Sequence, residues 1–280
     1  MTEASLRQLW RYPVKSMGGE DVSELHVGPG NVVGDRAYAL IESESGQLVS
    51  GKRHGALIGC RARFLSPPET DTSTPPVEVT FPDGTVVTDD ADEVSRRASA
   101  LLGVEVRLVN HLDKDAEPVL AWAAPQTLAD FAPVHVLAAS DLGRLADEHP
   151  DGQWDPRRFR PNVLVDDAGM TGGADDWLGC DIHLGSQVVV HAVMPTPRCV
   201  MTTLAQGELP KDREILRTLV RAHSRDVPVF GDRPCVGCYA EVVSPGVLSR
   251  GDPVHVERVE PRRGVLAVAV DAVAAQKGRA

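Results

Sequence analysis

The sequence predicts a β-rich α+β protein built from two units, and three observations lead there. Short runs of β-branched and apolar residues recur along most of the chain, separated by glycine and proline. Residues 77–81 and 85–88 flank the turn residues Pro82, Asp83 and Gly84, the pattern of a β-hairpin. Helical periodicity is confined to a few stretches, the clearest being residues 212–223, where Ile215, Leu216, Leu219 and Val220 recur at helical spacing.

In chain order, residues 6–14, 36–42 and 57–64 are predicted strands. The Pro/Thr-rich stretch 67–76 is a surface loop, and the hairpin follows it. Asp89 or Asp90 caps a helix through about Leu102, because a carboxylate accepts from the free N–H groups of a first helical turn. Residues 104–110 return to strand. Charge and proline interrupt the pattern over residues 111–118. The boundary placed there divides the chain into a unit over residues 1–115, a second over 116–262 and a tail over 263–280. In the second unit, residues 133–138 read as strand and 140–149 as a capped helix. Residues 159–165 and 177–193 read as further strands, 212–223 as helix, and 239–243 and 254–259 as closing strands. Residues 264–280, rich in Ala and Val, fit a terminal helix or a frayed tail.

A chain of 280 residues with 42% hydrophobic and 25% charged residues has the composition of a globular protein. Its net charge of −11 argues against nucleic-acid and anionic-membrane partners. The charge is uneven: through Ser66 there are 8 Lys and Arg against 7 Asp and Glu, and 21 against 33 beyond it. The near-neutral amino-terminal part could house an anionic ligand. No stretch reaches the roughly 18–20 apolar residues of a membrane span, and the first residues lack the pattern of a secretory signal. Five cysteines spread over the chain do not form a disulfide framework. A cytoplasmic location is the expectation.

The most informative single feature is Cys199, in the stretch Met194-Pro-Thr-Pro-Arg-Cys-Val-Met-Thr-Thr203. Two prolines favour a fixed extended loop, and the neighbouring Arg198 favours the thiolate. An apolar run at residues 188–190 precedes it, and helix-like sequence follows. Three further segments offer complementary chemistry: Tyr12-Pro-Val-Lys15-Ser16, Gly34-Asp-Arg36, and Arg160-Pro-Asn162. Singly, Lys15 and Arg36 are what a solvated face carries, and Asn162 what a turn carries. Together they supply cations suited to phosphate, hydroxyl and amide groups suited to a heteroaromatic edge, and one soft thiolate.

Two other motifs promise more than they deliver. Pro234-Cys-Val-Gly-Cys238 looks like half of a zinc site or like the Pro-Cys-x-x-Cys of nucleobase deaminases. The deaminases need an upstream His-x-Glu, and here His255-Val-Glu257 lies downstream. A structural zinc would draw further ligands from His223, Cys199 or Cys180; otherwise the two thiols are incidental or a redox pair. Gly28-Pro-Gly-Asn-Val-Val-Gly34 resembles a phosphate-binding loop, but Pro29 removes a needed amide and no periodic helix follows, so it reads as a turn. His183 and His191 read as ordinary sheet-face histidines.

The ordered motifs resemble those of MOSC proteins that carry an amino-terminal β-barrel domain, in the branch of the mitochondrial amidoxime-reducing components and their bacterial relatives. The resemblance runs from residues 9–17 through 159–162 and 197–203 to 239–246 and 251–254. It implies a β-barrel-like amino-terminal domain followed by a MOSC β-barrel domain with peripheral helices. It also implies a bound molybdenum cofactor, with Cys199 as catalytic residue and metal ligand. Lys15, Ser16, Arg36, Arg160, Asn162 and Arg198 fall on the motifs that hold the pterin and its phosphate. The implied reaction is reduction of N-hydroxylated substrates. The chain ends without an iron–sulfur cysteine set, so a separate donor is expected: a ferredoxin, a flavodoxin, or a cytochrome b5-like protein with its reductase. A second function implied for MOSC domains is sulfur or cofactor transfer, with Cys199 carrying persulfide. Pro197 replaces a small polar residue of some relatives, and Cys235 and Cys238 stand where an ordinary strand approach is usual.

Overall fold

Side-chain alternation fixes the largest sheet. Along the stretch from Val188 to Pro197, Val188, Val190, Ala192 and Met194 are buried, and residues two apart share one face of a strand. The computed structural model describes residues 3–69, 73–113, 132–170, 172–227 and 230–260. The amino-terminal elements are β1 (Ser5–Arg11), β2 (Glu20–Val22), β3 (Glu24–Val27), β4 (Tyr38–Glu42), β5 (Arg61–Phe64), β6 (Val77–Thr80), β7 (Val86–Thr88), α1 (Ala91–Leu102) and β8 (Val106–Asn110). Then come β9 (Val134–Ala138), α2 (Ala139–Glu148), β10 (Val163–Asp166), β11 (Cys180–Leu184) and β12 (Val188–Pro197). The last are α3 (Glu214–Ala222), β13 (Ser224–Val227), β14 (Gly231–Ser244), β15 (Gly246–Ser249) and β16 (Val254–Arg258).

Nine strands form the main sheet, in the order β16-β11-β12-β14-β9-β10-β1-β2, with β13 beside β14. Its two amino-terminal strands close one end: β1 runs antiparallel to β10, with Leu9 opposite Val163. Smaller sheets pair β4 with β8, β15 with β3, and β5-β6-β7. Two main cores result. Leu9, Val136, Val163, Ile182 and Val190 pack in one; Val14, Leu40, Leu57, Val79, Val94 and Ala98 pack in the other. Because β1 belongs to the main sheet while Val14 and Met17 belong to the second core, the segment between them crosses the seam. Among the described residues no helix is long and apolar enough to cross a membrane.

The β-rich class, the 77–88 hairpin and α1 agree with the sequence reading, and Asp90 is the cap, its Oδ1 accepting from Glu93 N at 2.8 Å. Several boundaries move. Residues 55–59 form a 3₁₀ turn instead of strand, since Leu57 and Ile58 are consecutive and both buried, which a one-sided strand does not allow. Strands begin at Tyr38 and Val163 because Arg36 and Arg160 adopt positive φ. Trp177 ends a 3₁₀ turn, with strand resuming at Cys180. The cap of α2 comes from outside the local sequence: Asp167 Oδ1 accepts from Ser140 N at 2.9 Å. Pro195 and Pro197 lie inside β12, where register irregularities accommodate the missing donors. Residues after Cys199 form only a 3₁₀ turn, Val200–Thr203. His191 is buried, its ring 2.8 Å from Asp181 Oδ1, while His183 is half-exposed. Gly28 N donates to Asn31 O at 2.8 Å, within a turn. The boundary residues 114–118 and the tail lie outside the described residues.

Candidate functional site

Four distant segments are tied together by backbone-directed hydrogen bonds. Leaving β1, Tyr12 N donates to Asp35 Oδ1 at 2.9 Å, and Arg36 N donates to Tyr12 O at 2.7 Å. Trp10 N donates to Asn162 O at 2.8 Å. Arg198 Nη1 donates to Phe159 O at 2.8 Å. The chain ends of β1, β10 and β12 therefore meet at the seam. There, Lys15, Ser16, Arg36, Arg160, Asn162, Arg198 and Cys199 all line one cavity of about 370 Å³. That volume suits a small organic ligand.

The backbone around the cavity is held in an uncommon conformation. Among the described residues four non-glycine residues have positive φ, and three line the cavity: Ser16 at 69°, Arg36 at 51° and Arg160 at 56°. Left-handed backbone costs an L-residue roughly 1–2 kcal/mol, and such positions persist where the surroundings over-determine them, typically at ligand sites.

Charge is concentrated in the same way. Lys15, Arg36, Lys52, Arg158, Arg160, Arg198 and Arg233 line the cavity, and no described lining residue is Asp or Glu. In a protein of net charge −11 this is a local inversion suited to an anion. The guanidinium carbons of Arg36 and Arg160 lie 4.4 and 4.3 Å from the Tyr12 ring centroid, cation–π contacts that help two like charges share one place. Asp35 pairs with Arg36. Burial works against the Arg36 charge, and Asp35 more than restores it. The buried Tyr12 hydroxyl has no hydrogen-bond partner among the described residues, and burial pushes its pKa up despite the two arginines.

The remaining predicted residues differ in how free they are to meet a ligand. Ser16 Oγ accepts from Gly51 N at 3.0 Å, leaving its hydroxyl proton to donate. Asn162 is a seam pin: Oδ1 accepts from His135 N at 3.0 Å and Nδ2 donates to Trp10 O at 3.3 Å. Arg198 is largely committed to protein. Besides Phe159 O, it donates to Val236 O from Nε at 3.1 Å and Nη2 at 2.6 Å, and from Nη2 to His135 Nε2. Burial lowers its pKa to about 10, so it stays protonated at neutral pH. Burial, then the Arg198 charge, holds His135 well below the ordinary histidine range; it is neutral, with Nε2 as acceptor. Cys199 is half-buried in the cavity wall.

The sequence reading missed His135 and Arg158 as parts of this site. Arg158, 1% exposed, donates to Thr202 O and Leu204 O at 3.2 Å and to Pro210 O at 2.8 Å. It holds the turn that follows Cys199. Nothing in the local sequence singles out either residue. Cys235 and Cys238 are buried in β14. Burial pushes Cys235 up to about 11 and raises Cys238 further, the opposite of an activated thiol. Among the described residues no group of three or more His, Cys, Asp or Glu side chains converges to hold a metal.

Fold and site define a two-unit β-rich protein with a cationic cavity at its seam, lined by no described carboxylate and by one described thiol. The chain belongs to the MOSC family: residues 124–255 match the MOSC domain and residues 3–114 the MOSC N-terminal beta barrel domain. It is 25% identical over 289 residues to mitochondrial amidoxime-reducing component 1 of Homo sapiens and 23% identical over 284 residues to that of Mus musculus. In each case the match covers 90% of this chain and 82% of the relative. Among solved structures, the YuaD protein from Bacillus subtilis aligns with a TM-score of 0.47 at 13% identity, covering 92% of this chain and 98% of that one. YiiM from Escherichia coli aligns over 54% of this chain and 66% of its own, with a TM-score of 0.33 at 16% identity.

Proposed function

We propose that the protein is a molybdenum-cofactor-dependent oxidoreductase that reduces N-hydroxylated compounds with electrons from a separate donor protein. The observation that carries this reading is the cavity: seven cations, no described carboxylate and the Cys199 thiol around one space of about 370 Å³. These residues fit a pterin cofactor with an anionic phosphate and a soft metal. Cys199 is the thiolate suited to the metal. Arg36, Arg160 and Lys15 are suited to the phosphate, arginine by its planar fork of donors. Ser16 has a hydroxyl proton for the pterin edge. Asn162, Arg158 and Arg198 position these groups by holding the seam and the turn after Cys199. Bound there, the cofactor would supply the two-electron chemistry that, with two protons, converts an N–OH compound to amine or amidine and water.

The test is metal analysis of protein expressed with cofactor supply, followed by amidoxime reduction with a chemical reductant. Wild type is expected to carry stoichiometric molybdenum and to release amidine, and Cys199→Ser to lose most of both. Wild type free of molybdenum overturns the reading, and sulfane sulfur on Cys199 in such protein would support a sulfur carrier instead.

A further inference from the structure

Two of the seven cations stand apart from the rest. Lys52 and Arg233 line the cavity yet are exposed, whereas Lys15, Arg158 and Arg160 are buried or half-buried around its interior. Neither Lys52 nor Arg233 forms an ion pair with any described residue; Arg233 Nη1 donates to one backbone carbonyl, Asp232 O, at 2.8 Å. Several other exposed arginines among the described residues are neutralised, as Arg63 is by Glu78, Arg96 by Glu93 and Arg217 by Glu214. The two come from different parts of the fold, Lys52 from the loop after β4 and Arg233 from β14. The same cavity is also lined by Leu48, Met201, Phe230 and Tyr239.

We propose that Lys52 and Arg233 select substrates by charge: the preferred compounds carry the N-hydroxylated group on a flat apolar body that ends in a carboxylate or phosphate. This rests on the reductase reading above and names the substrate class of that same site. The interior cations and Cys199 are suited to the cofactor, leaving the exposed pair to meet whatever enters after it. An anionic end meets two unneutralised cations and no described carboxylate, so it is attracted without like-charge cost. A cationic end meets net repulsion. Both cations are exposed, so the preference is modest, at most about fivefold for each, and salt weakens it.

The experiment compares a neutral aryl amidoxime with its para-carboxylate analogue, using holoprotein and a chemical reductant so that no donor protein is involved. Wild type is expected to show a kcat/KM for the carboxylate at least about fivefold higher, carried by KM and shrinking as salt rises. In Lys52→Gln/Arg233→Gln the ratio of the two kcat/KM values is expected to fall toward one. Calorimetric titration of the carboxylate analogue into unreduced holoprotein gives a readout independent of turnover, and its Kd is expected to rise in the double variant. Equal use of both compounds by active wild type overturns the charge selection and leaves the reductase reading standing; activity on neither, in protein that carries molybdenum, overturns the reductase reading. A double variant that keeps the wild-type ratio of kcat/KM values and the wild-type Kd overturns this proposal.

Discussion

Arg36 Nη2 donates to the carbonyl oxygen of Arg160 at 3.3 Å, joining two left-handed residues 124 positions apart in the chain. Both residues carry the guanidinium groups that share Tyr12, so backbone strain and cation placement are built into the same two positions. The two contributions separate by substitution. Arg36→Gly and Arg36→Ala both remove the guanidinium, but only alanine retains the penalty of φ 51°. Arg36→Gly is therefore expected to be about 1 kcal/mol more stable than Arg36→Ala in urea denaturation. Equal stabilities would show that the backbone there is unstrained.

Asn162 holds β1 and β9 together at the floor of the site through His135 N and Trp10 O. Asn162→Leu keeps the approximate volume and leaves both backbone groups without their side-chain partner. With the residue 1% exposed, water cannot easily replace the lost bonds. The expected cost is about 2–4 kcal/mol, read as a lower urea midpoint with an unchanged slope. A loss below about 0.5 kcal/mol would mean that the seam does not depend on this amide.

How much of this was legible in the sequence follows from where each residue's role is decided. The hairpin and α1 were legible because turn residues and the Asp90 cap act within a few positions of themselves. The four site segments were legible as chemistry, since cations, a hydroxyl and a thiol in motif order point to one kind of ligand. His135 was not: in Val134-His-Val-Leu-Ala138 it looks like any strand residue, and only Arg198, 63 positions away, makes it an acceptor. Arg158 was hidden for the same reason: apart from Gln153 O, its partners lie 44 to 52 residues on. The Pro-Cys-x-x-Cys stretch lay outside the strand read over residues 239–243, whereas β14 runs from Gly231 to Ser244 and carries Pro234 and Gly237 inside it, with register irregularities against β12.

That stretch owes its structural weight to Gly237 and not to its thiols. Gly237 has φ +76°, and a Cβ there would stand 2.6 Å from His135 Nε2 and 2.7 Å from Val136 O. Gly237→Ala is expected to cost roughly 2–4 kcal/mol and to disturb the His135–Arg198 contact. Cys238→Ala removes one buried sulfur from a core and is expected to cost about 1–2 kcal/mol. Denaturation of the two variants side by side checks the order. If Cys238→Ala proved the more damaging, the cysteines would have a structural role that the packing does not reveal.

Asp141, buried at the start of α2, makes stability fall as pH rises, against the usual trend for paired carboxylates. Burial pushes its pKa up to about 6, with the Arg144 charge opposing. In the unfolded chain the value is about 3.9. Between these two values the native state binds more protons than the unfolded state, so its stability declines as pH rises through that window. Above about pH 6 the full cost of the buried charge is present. Asp141→Asn keeps an acceptor for Ala174 N, which now donates to Oδ2 at 3.2 Å, without the charge. It gives up only the pair to a half-exposed Arg144, worth under about 1 kcal/mol. The variant is thus expected to exceed wild type by about 2 kcal/mol at pH 7.5, with the advantage vanishing near pH 4. Urea denaturation of both proteins across that range reads the difference directly; a gap that does not change with pH would mean that Asp141 titrates normally in the folded protein.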